Sequence, residues 1–271
     1  MIESIDQTTA TVAVARLTAV AVLLSCVEYL AQPRHLKSDG LLSWTVGSLR
    51  EPWLTSGPTA MPLDAILRYP SVLALLGLRA AIAGVILIGP PSLAISPWVI
   101  GLAVVLSGLF ILRNTYGQDG ADQMAWILLT ALALTGLVGT AAAQRVFLWF
   151  VTLQACFAYA VAGFAKASAR GWRDGSYLIG ICGTHIYGHA AIASALRQRP
   201  GLAKVMSCLL VTWECAFPLV LVAPLPVALA ILGSGVLFHL INGYVMGLNT
   251  FIWSFTATYP AILFCVQARS W

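Results

Sequence analysis

The chain has 271 residues, of which 59% are hydrophobic and only 9% charged, and its mean hydropathy is +0.87. Soluble domains carry about 25% charged residues, so this composition excludes a globule covered by water. The net charge of +5 includes no Lys/Arg run on an ordered face, which excludes nucleic acid as a partner. The six cysteines form no Cys-x-x-Cys pair, so neither a metal site nor a redox pair is predicted. Long apolar blocks instead predict the lipid bilayer as the partner.

These apolar blocks predict the membrane spans, at about 20 residues for each crossing. We predict spans over residues 10–30, 70–88, 98–112, 124–143, 146–165, 202–222, 227–246 and 251–266. The stretch 177–196 is less apolar, and it is either a further span lining a cavity or a re-entrant or interfacial helix. The predicted fold class is all-α: a polytopic transmembrane helical bundle of seven to nine spans. It forms a single integral membrane domain, residues 1–271, placed as a multi-pass protein in the cell membrane.

The longest segment outside the spans covers residues 32–68, and we predict a polar interfacial loop with Trp44 and Trp53 at headgroup level. Most Lys and Arg residues fall on one side of the predicted spans. The loops after the first, third and fifth spans hold Arg34, Lys37, Arg50, Arg68, Arg113, Arg170 and Arg173. The positive-inside rule places these loops in the cytoplasm. The opposite side holds Arg145, Arg197, Arg199 and Lys204 if 177–196 spans.

Ionisable side chains within the spans need a partner, a cavity or an interface, since each costs roughly 2.5–3.5 kcal/mol in hydrocarbon. Arg16 and Glu28 lie near the two ends of the first span, where both can reach the interface. Arg79 lies near the middle of the second span. It predicts either a buried ion pair with Glu28 or Glu214, or a functional charge in a cavity.

The connection from residue 113 to residue 124 concentrates polar residues between two spans. Asp122, just before the apolar run, is predicted as an N-cap, with Gly117 and Gly120 in tight turns. Capping does not account for the remaining polar residues, so this cluster is a candidate site for a polar headgroup or substrate. Its candidate binding residues are Arg113, Asn114, Asp119 and Asp122.

Four further polar residues lie in the second half of the chain. Lys166 ends the fifth span and is either an interfacial lysine reaching lipid phosphates or a base at the membrane boundary. Glu214 lies within the seventh predicted span. His239 and Asn242 lie three residues apart on one face of the next. Because consecutive spans tend to be neighbours, Glu214, His239 and Asn242 are predicted to share a polar cavity.

Four sequence blocks resemble the HTTM family, the horizontally transferred transmembrane domain shared by vitamin K-dependent gamma-carboxylases and many bacterial proteins. The blocks are Arg113 to Met124, Ala162-Gly163-Phe164-Ala165-Lys166 with Trp172 and Gly175-Ser176-Tyr177, Trp213 to Pro218, and Phe238-His239 through Asn242 to Pro260. They are spread over the chain from residue 113 onward. The first third fits only by its pattern of spans.

The resemblance implies roles for particular residues. In the carboxylases, an Ala-Gly-x-x-Lys at the end of a membrane helix supplies the lysine thought to deprotonate vitamin K hydroquinone, and Lys166 falls on that position. A Phe-His-x-x-Asn block sits further along, which Phe238, His239 and Asn242 match. Lys166 and His239 are therefore the candidate catalytic residues, with a quinone or hydroquinone as candidate cofactor. Glu214 and Asn242 join the 113–122 cluster as candidate substrate-binding residues.

The chain departs from the carboxylases in two places. Arg113-Asn114 stands before Thr115-Tyr116 where the carboxylases have an Asn-His pair before a Ser-Tyr, so that histidine is missing. The carboxylases also have a large lumenal half, whereas this chain ends after its last span, so carboxylation of a propeptide-bearing protein is not expected. The family places its lysine end outside the cytoplasm, opposite to the side that the Lys/Arg count favours.

Three functions are compatible with these features. The first is a membrane enzyme, lyase-like or carboxylase-like, in which Lys166 acts as base on a quinol, lipid, small or peptide substrate. The second is a non-catalytic membrane factor for maturing or exporting a small secreted peptide, as in the family branch that matures the sporulation-delaying toxin peptide. The third is a transporter, which ranks last because no internal repeat is found.

Overall fold

The computed structural model describes residues 4–114, 119–185 and 187–269. Within these ranges every regular element is a helix, and seven helical segments are long and apolar enough to cross a membrane. An all-α, multi-pass membrane fold is therefore confirmed, with the lipid bilayer as its environment.

The long apolar helices correspond to the predicted spans, and shorter helices lie between them. In chain order they are α1 (Gln7–Ala31), α2 (Trp44–Gly47), α3 (Pro52–Thr55), α4 (Ala60–Leu67), α5 (Ser71–Ile88), α6 (Pro91–Ala94), α7 (Pro97–Arg113), α8 (Gly120–Val138), α9 (Ala141–Ser168), α10 (Arg170–Arg173), α11 (Ser176–Cys182), α12 (Ala190–Gln198), α13 (Pro200–Ala216), α14 (Leu225–Met246), α15 (Asn249–Thr256) and α16 (Tyr259–Ala268). The candidate spans are α1, α5, α8, α9, α13 with its 3₁₀ extension to Leu221, α14, and α15 together with α16. Helix α7 is apolar but shorter, at 17 residues.

The ends of α8 differ from the prediction for local reasons. The side chain of Asp119 accepts hydrogen bonds from the backbone N–H groups of Ala121 and Asp122, so the helix begins at Gly120. The prediction of Asp122 as N-cap is therefore wrong, because Asp122 lies inside the first turn. Gly139 adopts φ 67°, a left-handed conformation that ends α8 at Val138. Residues 141–143 consequently begin α9.

The stretch 177–196 does not span. It contains α11 and α12, which have only seven and nine residues, or about 10 and 14 Å of helix. Between them the backbone turns so tightly that a Cβ on Gly188 would lie 2.1 Å from the carbonyl oxygen of Thr184. A crossing needs about 30 Å, so the spanning alternative is excluded.

The chain divides into two compact units. Unit 1 comprises Met1–Ala10, Leu148–Ile252 and Thr258–Trp271, and unit 2 comprises Thr11–Phe147 and Trp253–Ala257. The single domain over residues 1–271 stays a prediction.

In unit 2, the polar segment 32–68 is folded onto the helices through apolar side chains. Trp44, Leu54 and Leu67 form one buried cluster with Leu75 of α5 and Leu106 of α7. The indole N–H of Trp44 donates to the Asp64 carboxylate at 3.2 Å, and the residue is only 2% exposed. Trp44 therefore anchors the segment to the core of this unit, and the headgroup-level position of Trp44 and Trp53 stays a prediction.

Arg79 joins three helices of unit 2. The residue is 3% exposed, its Nε donates to the hydroxyl of Ser107 at 3.2 Å, and its Nη1 donates to that of Ser25 at 3.3 Å. Its guanidinium carbon lies 5.1 Å from the ring centre of Phe110. Serine hydroxyls and a ring face thus take the place of the carboxylate that the ion-pair alternative predicted, and the alternative of a functional charge in a cavity stays a prediction.

Candidate functional site

The site in unit 1 begins on one face of α9. Tyr159, Gly163 and Lys166 are separated by four and three positions, a spacing that places side chains above one another on a helix. Lys166 is thus two turns beyond Tyr159, about 10 Å along the axis.

Gly163 allows α9 to contact the backbone of α13. A Cβ at this position would lie 2.6 Å from the backbone nitrogen of Cys215 and 3.0 Å from the carbonyl carbon of Glu214. Small residues permit such close helix approaches within membranes. The approach brings Lys166, one turn further along α9, beside the side chain of Glu214.

Lys166 and Glu214 form a bidentate ion pair. The Lys166 ammonium donates to both carboxylate oxygens of Glu214, each at 2.6 Å. The Lys166 side chain is 23% exposed, whereas that of Glu214 is 4% exposed. Charge-assisted hydrogen bonds of this kind are stronger than neutral ones. Lys166 is therefore the accessible member of the pair and Glu214 the enclosed one.

The chain after α9 folds back beside Lys166. The ring centre of Trp172 lies 5.5 Å from the Lys166 amine, within range of a cation–π interaction. The carbonyl of Trp172 accepts a hydrogen bond from the hydroxyl of Ser207 on α13. Gly175, at φ 85°, approaches the backbone of Lys204, where a Cβ would be 2.5 Å from the nitrogen. These contacts hold Trp172 against α13 and so fix the surroundings of Lys166.

A second polar group lies around Tyr159. Its hydroxyl is 2.6 Å from Nε2 of His239 and 3.0 Å from the hydroxyl of Tyr259, and all three residues are buried. Gly235, one turn before His239 on α14, leaves room for Tyr259, since a Cβ there would lie 2.1 Å from the Tyr259 oxygen. The three side chains therefore join α9, α14 and α16.

Aromatic rings enclose this second group. The ring of Tyr159 lies 3.9 Å from that of Phe217 and 5.3 Å from that of Trp213, between centres. The ring of Phe251 stacks on His239 at 6.4 Å. Apolar surroundings strengthen the hydrogen bonds that they contain. The arrangement can hold a proton among two hydroxyls and an imidazole.

The structure brings Glu214, one of the three residues predicted to share a cavity, into contact with Lys166, and it places His239 in the neighbouring polar group. Asn242 is half-buried one turn beyond His239 on α14. None of the side-chain hydrogen bonds found among the described residues involves Asn242. Its binding role stays a prediction.

In unit 2, Arg113 uses its guanidinium to bind protein atoms. Its Nε and Nη2 donate to the carbonyls of Leu67 and Leu36 at 2.9 and 2.8 Å, and its Nη1 donates to the Asn114 side chain at 2.7 Å. Both Arg113 and Asn114 are almost fully buried. These bonds fasten the 32–68 segment to the end of α7.

The rest of the 113–122 cluster is only partly described. Burial raises the pKa of Asp119, whereas its hydrogen bonds from the first turn of α8 lower it. Asp122 is half-buried in that turn. Thr115, Tyr116 and Gly117 lie outside the described residues. Substrate binding by Arg113, Asn114, Asp119 and Asp122 stays a prediction.

Sequence reasoning missed two members of the site, Tyr159 and Tyr259. Tyr159 could have been found, because it precedes Lys166 by seven residues and so shares its helical face. Tyr259 gave no such signal, since its contact with Tyr159 joins residues 100 positions apart.

Fold and site together define a multi-pass helical membrane protein with a lysine–glutamate pair and a tyrosine–histidine–tyrosine group in one unit. Comparison with known proteins found no matching family model, no matching curated protein and no matching solved structure.

Proposed function

We propose that the chain is a bacterial cell-membrane enzyme of the HTTM type that removes a proton from a weakly acidic lipophilic substrate, a quinol in the first instance. The observation that carries this proposal is the Lys166–Glu214 pair, in which an accessible amine is backed by an enclosed carboxylate. Ionisable groups inside membrane segments are costly, and such groups frequently mark proton or substrate sites.

The proposed step needs the pair in its neutral form. Transfer of one proton from the Lys166 ammonium to the Glu214 carboxylate gives an amine and a carboxylic acid. The amine then accepts the proton of the substrate hydroxyl, whose O–H bond breaks. The products are the substrate oxyanion and the Lys166 ammonium, which face each other as an ion pair.

His239 supports this chemistry from the adjacent polar group. Its imidazole and the hydroxyls of Tyr159 and Tyr259 can donate to or accept from a bound substrate oxygen. Asn242, which is partly exposed one turn beyond His239, would supply a side-chain amide that orients the substrate. Arg113 already donates to backbone carbonyls, so the proposal places the proton transfer in unit 1.

The test is direct observation of a bound quinol anion. Wild-type protein and Lys166→Met are purified in detergent and titrated, without oxygen, with a reduced short-chain naphthoquinone. The naphtholate anion absorbs at longer wavelength than the neutral quinol. We expect its band with wild-type protein and its loss in Lys166→Met, with Lys204→Met as the exposed-lysine control. An anion band of equal intensity in Lys166→Met would refute the proposal.

The Lys166–Glu214 pair also favours a second function, in which the pair has a purely structural role. Because Lys166 fastens α9 to α13 across the Gly163 contact, the unit could instead grip a small secreted peptide as a non-catalytic maturation or export factor. This alternative expects a secreted peptide to co-purify with the protein, and peptide maturation to persist in Lys166→Met. Lost maturation in a folded Lys166→Met protein would count against it.

A further inference from the structure

Residues 170–185 and 187–199 form a cap over the first half of α13 in unit 1. Cys182 of α11 and Ala193 and Leu196 of α12 pack with Ala203 of α13 in one buried cluster. The inner face of the cap is thus apolar and already occupied by its own unit.

The outer face of the cap is basic. Its exposed cations, with the neighbouring one on α13, are Arg170, Arg173, Arg197, Arg199 and Lys204. Neither of the two ion pairs found among the described residues involves any of them. Asp174 is the sole carboxylate between residues 166 and 213. The backbone N–H of Ser176 donates to the Asp174 carboxylate at 2.9 Å and lowers its pKa, which keeps this carboxylate ionised. The cap and the start of α13 therefore carry one anion and five exposed cations.

Neighbouring side chains place the cap at the boundary of the bilayer. On α13, immediately after the cap, Leu202, Val205 and Met206 are each 44–55% exposed, which suits contact with lipid tails. Tyr177 and Tyr187 of the cap are also exposed, at 51% and 43%. Exposed tyrosine beside apolar surface is typical of the headgroup region.

The other end of unit 1 lacks this charge. Apart from the five cap cations and Lys166, which directly precedes the cap, the Lys/Arg residue of the unit is Arg269. Its guanidinium donates to the carbonyl of Ala223 at the turn between α13 and α14. That turn is separated from the cap by the length of α13 and its 3₁₀ extension, about 30 Å. The exposed cations of unit 1 are therefore concentrated at one end, where they can meet anionic headgroups.

We propose that the cap is a binding surface for anionic phospholipid headgroups. The cations are distributed over the surface: Arg170 and Lys204 flank Asp174, whereas Arg197 lies against Gly183. Such a spread suits several lipid phosphates better than one soluble anion. Lipid is also the partner that satisfies the exposed apolar residues of α13 beside them. This surface is independent of the proton transfer proposed for Lys166.

The test compares two triple variants of the full chain that lose the same charge. Purified protein in detergent is titrated with phosphatidylglycerol or phosphatidylcholine, and bound lipids are counted by native mass spectrometry. The cap variant is Arg170→Gln/Arg173→Gln/Arg197→Gln. The matched control is Arg34→Gln/Lys37→Gln/Arg145→Gln, whose three cations are exposed elsewhere.

We expect wild-type protein to prefer phosphatidylglycerol, and the cap variant to lose roughly 100-fold in affinity for it at about fivefold for each charge. The control should keep its preference, and Arg170→Lys/Arg173→Lys/Arg197→Lys should keep it too, which separates charge from folding. Equal losses in the cap and control variants would overturn the proposal. So would displacement of phosphatidylglycerol by excess inorganic phosphate, because the surface would then be a site for a free anion.

Discussion

The two units of the molecule use buried polar side chains in opposite ways. In unit 2, the buried Arg113 and the half-buried Arg50 donate to backbone carbonyls, and the buried Arg79 donates to serine hydroxyls. The ion pair found in the described part of this unit, between Arg68 and Asp64, is exposed. In unit 1, the buried contacts join groups that exchange protons, lysine with glutamate and tyrosine with histidine.

This difference distinguishes polar contacts with a structural role from polar contacts that can take part in proton transfer. Arginine stays protonated at any physiological pH and its planar fork reaches several acceptors at once, so it suits a permanent connection. Lysine, glutamate, histidine and tyrosine can each gain or lose a proton when their partner does. A polar residue inside the membrane is therefore a better candidate for catalysis in unit 1 than in unit 2.

Removing one partner of the Lys166–Glu214 ion pair in unit 1 should have the largest effect on stability. Glu214→Ala leaves the Lys166 ammonium without its counter-ion, and we expect the free energy of unfolding to fall by about 3 kcal/mol. Unfolding in detergent micelles, followed by circular dichroism, measures this change.

The control removes both charges together. Lys166→Met/Glu214→Leu replaces the pair with apolar groups of similar size and should remain within about 1 kcal/mol of wild type. If Glu214→Ala proved as stable as this double variant, the pair would not be a coupled unit.

Arg113→Lys tests the fastening role in unit 2. A lysine ammonium cannot reach both carbonyls and the Asn114 side chain as the guanidinium does, so we expect a loss of about 2 kcal/mol from two broken hydrogen bonds. Backbone hydrogen exchange should rise selectively in residues 32–68. Arg34→Lys, at an exposed position, should change neither property. Unchanged exchange in Arg113→Lys would mean that the apolar cluster around Trp44 holds the segment alone.

The spans were predictable because they depend on local composition. Hydropathy located α1, α5, α14 and α13 with its 3₁₀ extension to within three residues at either end. The errors came where one backbone conformation decided the boundary, as at Gly139, or where a single side chain capped a helix, as Asp119 does for α8. Such choices depend on three-dimensional geometry that composition does not contain.

The candidate site was predictable only in part. Lys166 and Glu214 stand out in sequence because charges are rare in this chain, and spacing along one helix links His239 with Asn242. Which residues meet across helices depends on their packing. Gly163 decides that Lys166 meets Glu214, and Gly235 decides that Tyr259 reaches Tyr159. A glycine has no side chain that would mark it as a site residue in the sequence. The contacts between Lys166 and Glu214 and between Tyr259 and Tyr159 therefore became visible only in the structure.

Tyr159→Phe should have the smallest effect on stability and would show whether the two polar groups of unit 1 act together. Loss of one hydroxyl removes hydrogen bonds to His239 and Tyr259, and we expect a cost of about 1 kcal/mol. Tyr244→Phe, 82% exposed on α14, is the matched control and should be neutral. In the naphthoquinol titration, Tyr159→Phe should keep the anion band, because Lys166 and Glu214 remain in place. Loss of the band in a folded Tyr159→Phe protein would show instead that the proton path runs through both groups, along the shared face of α9.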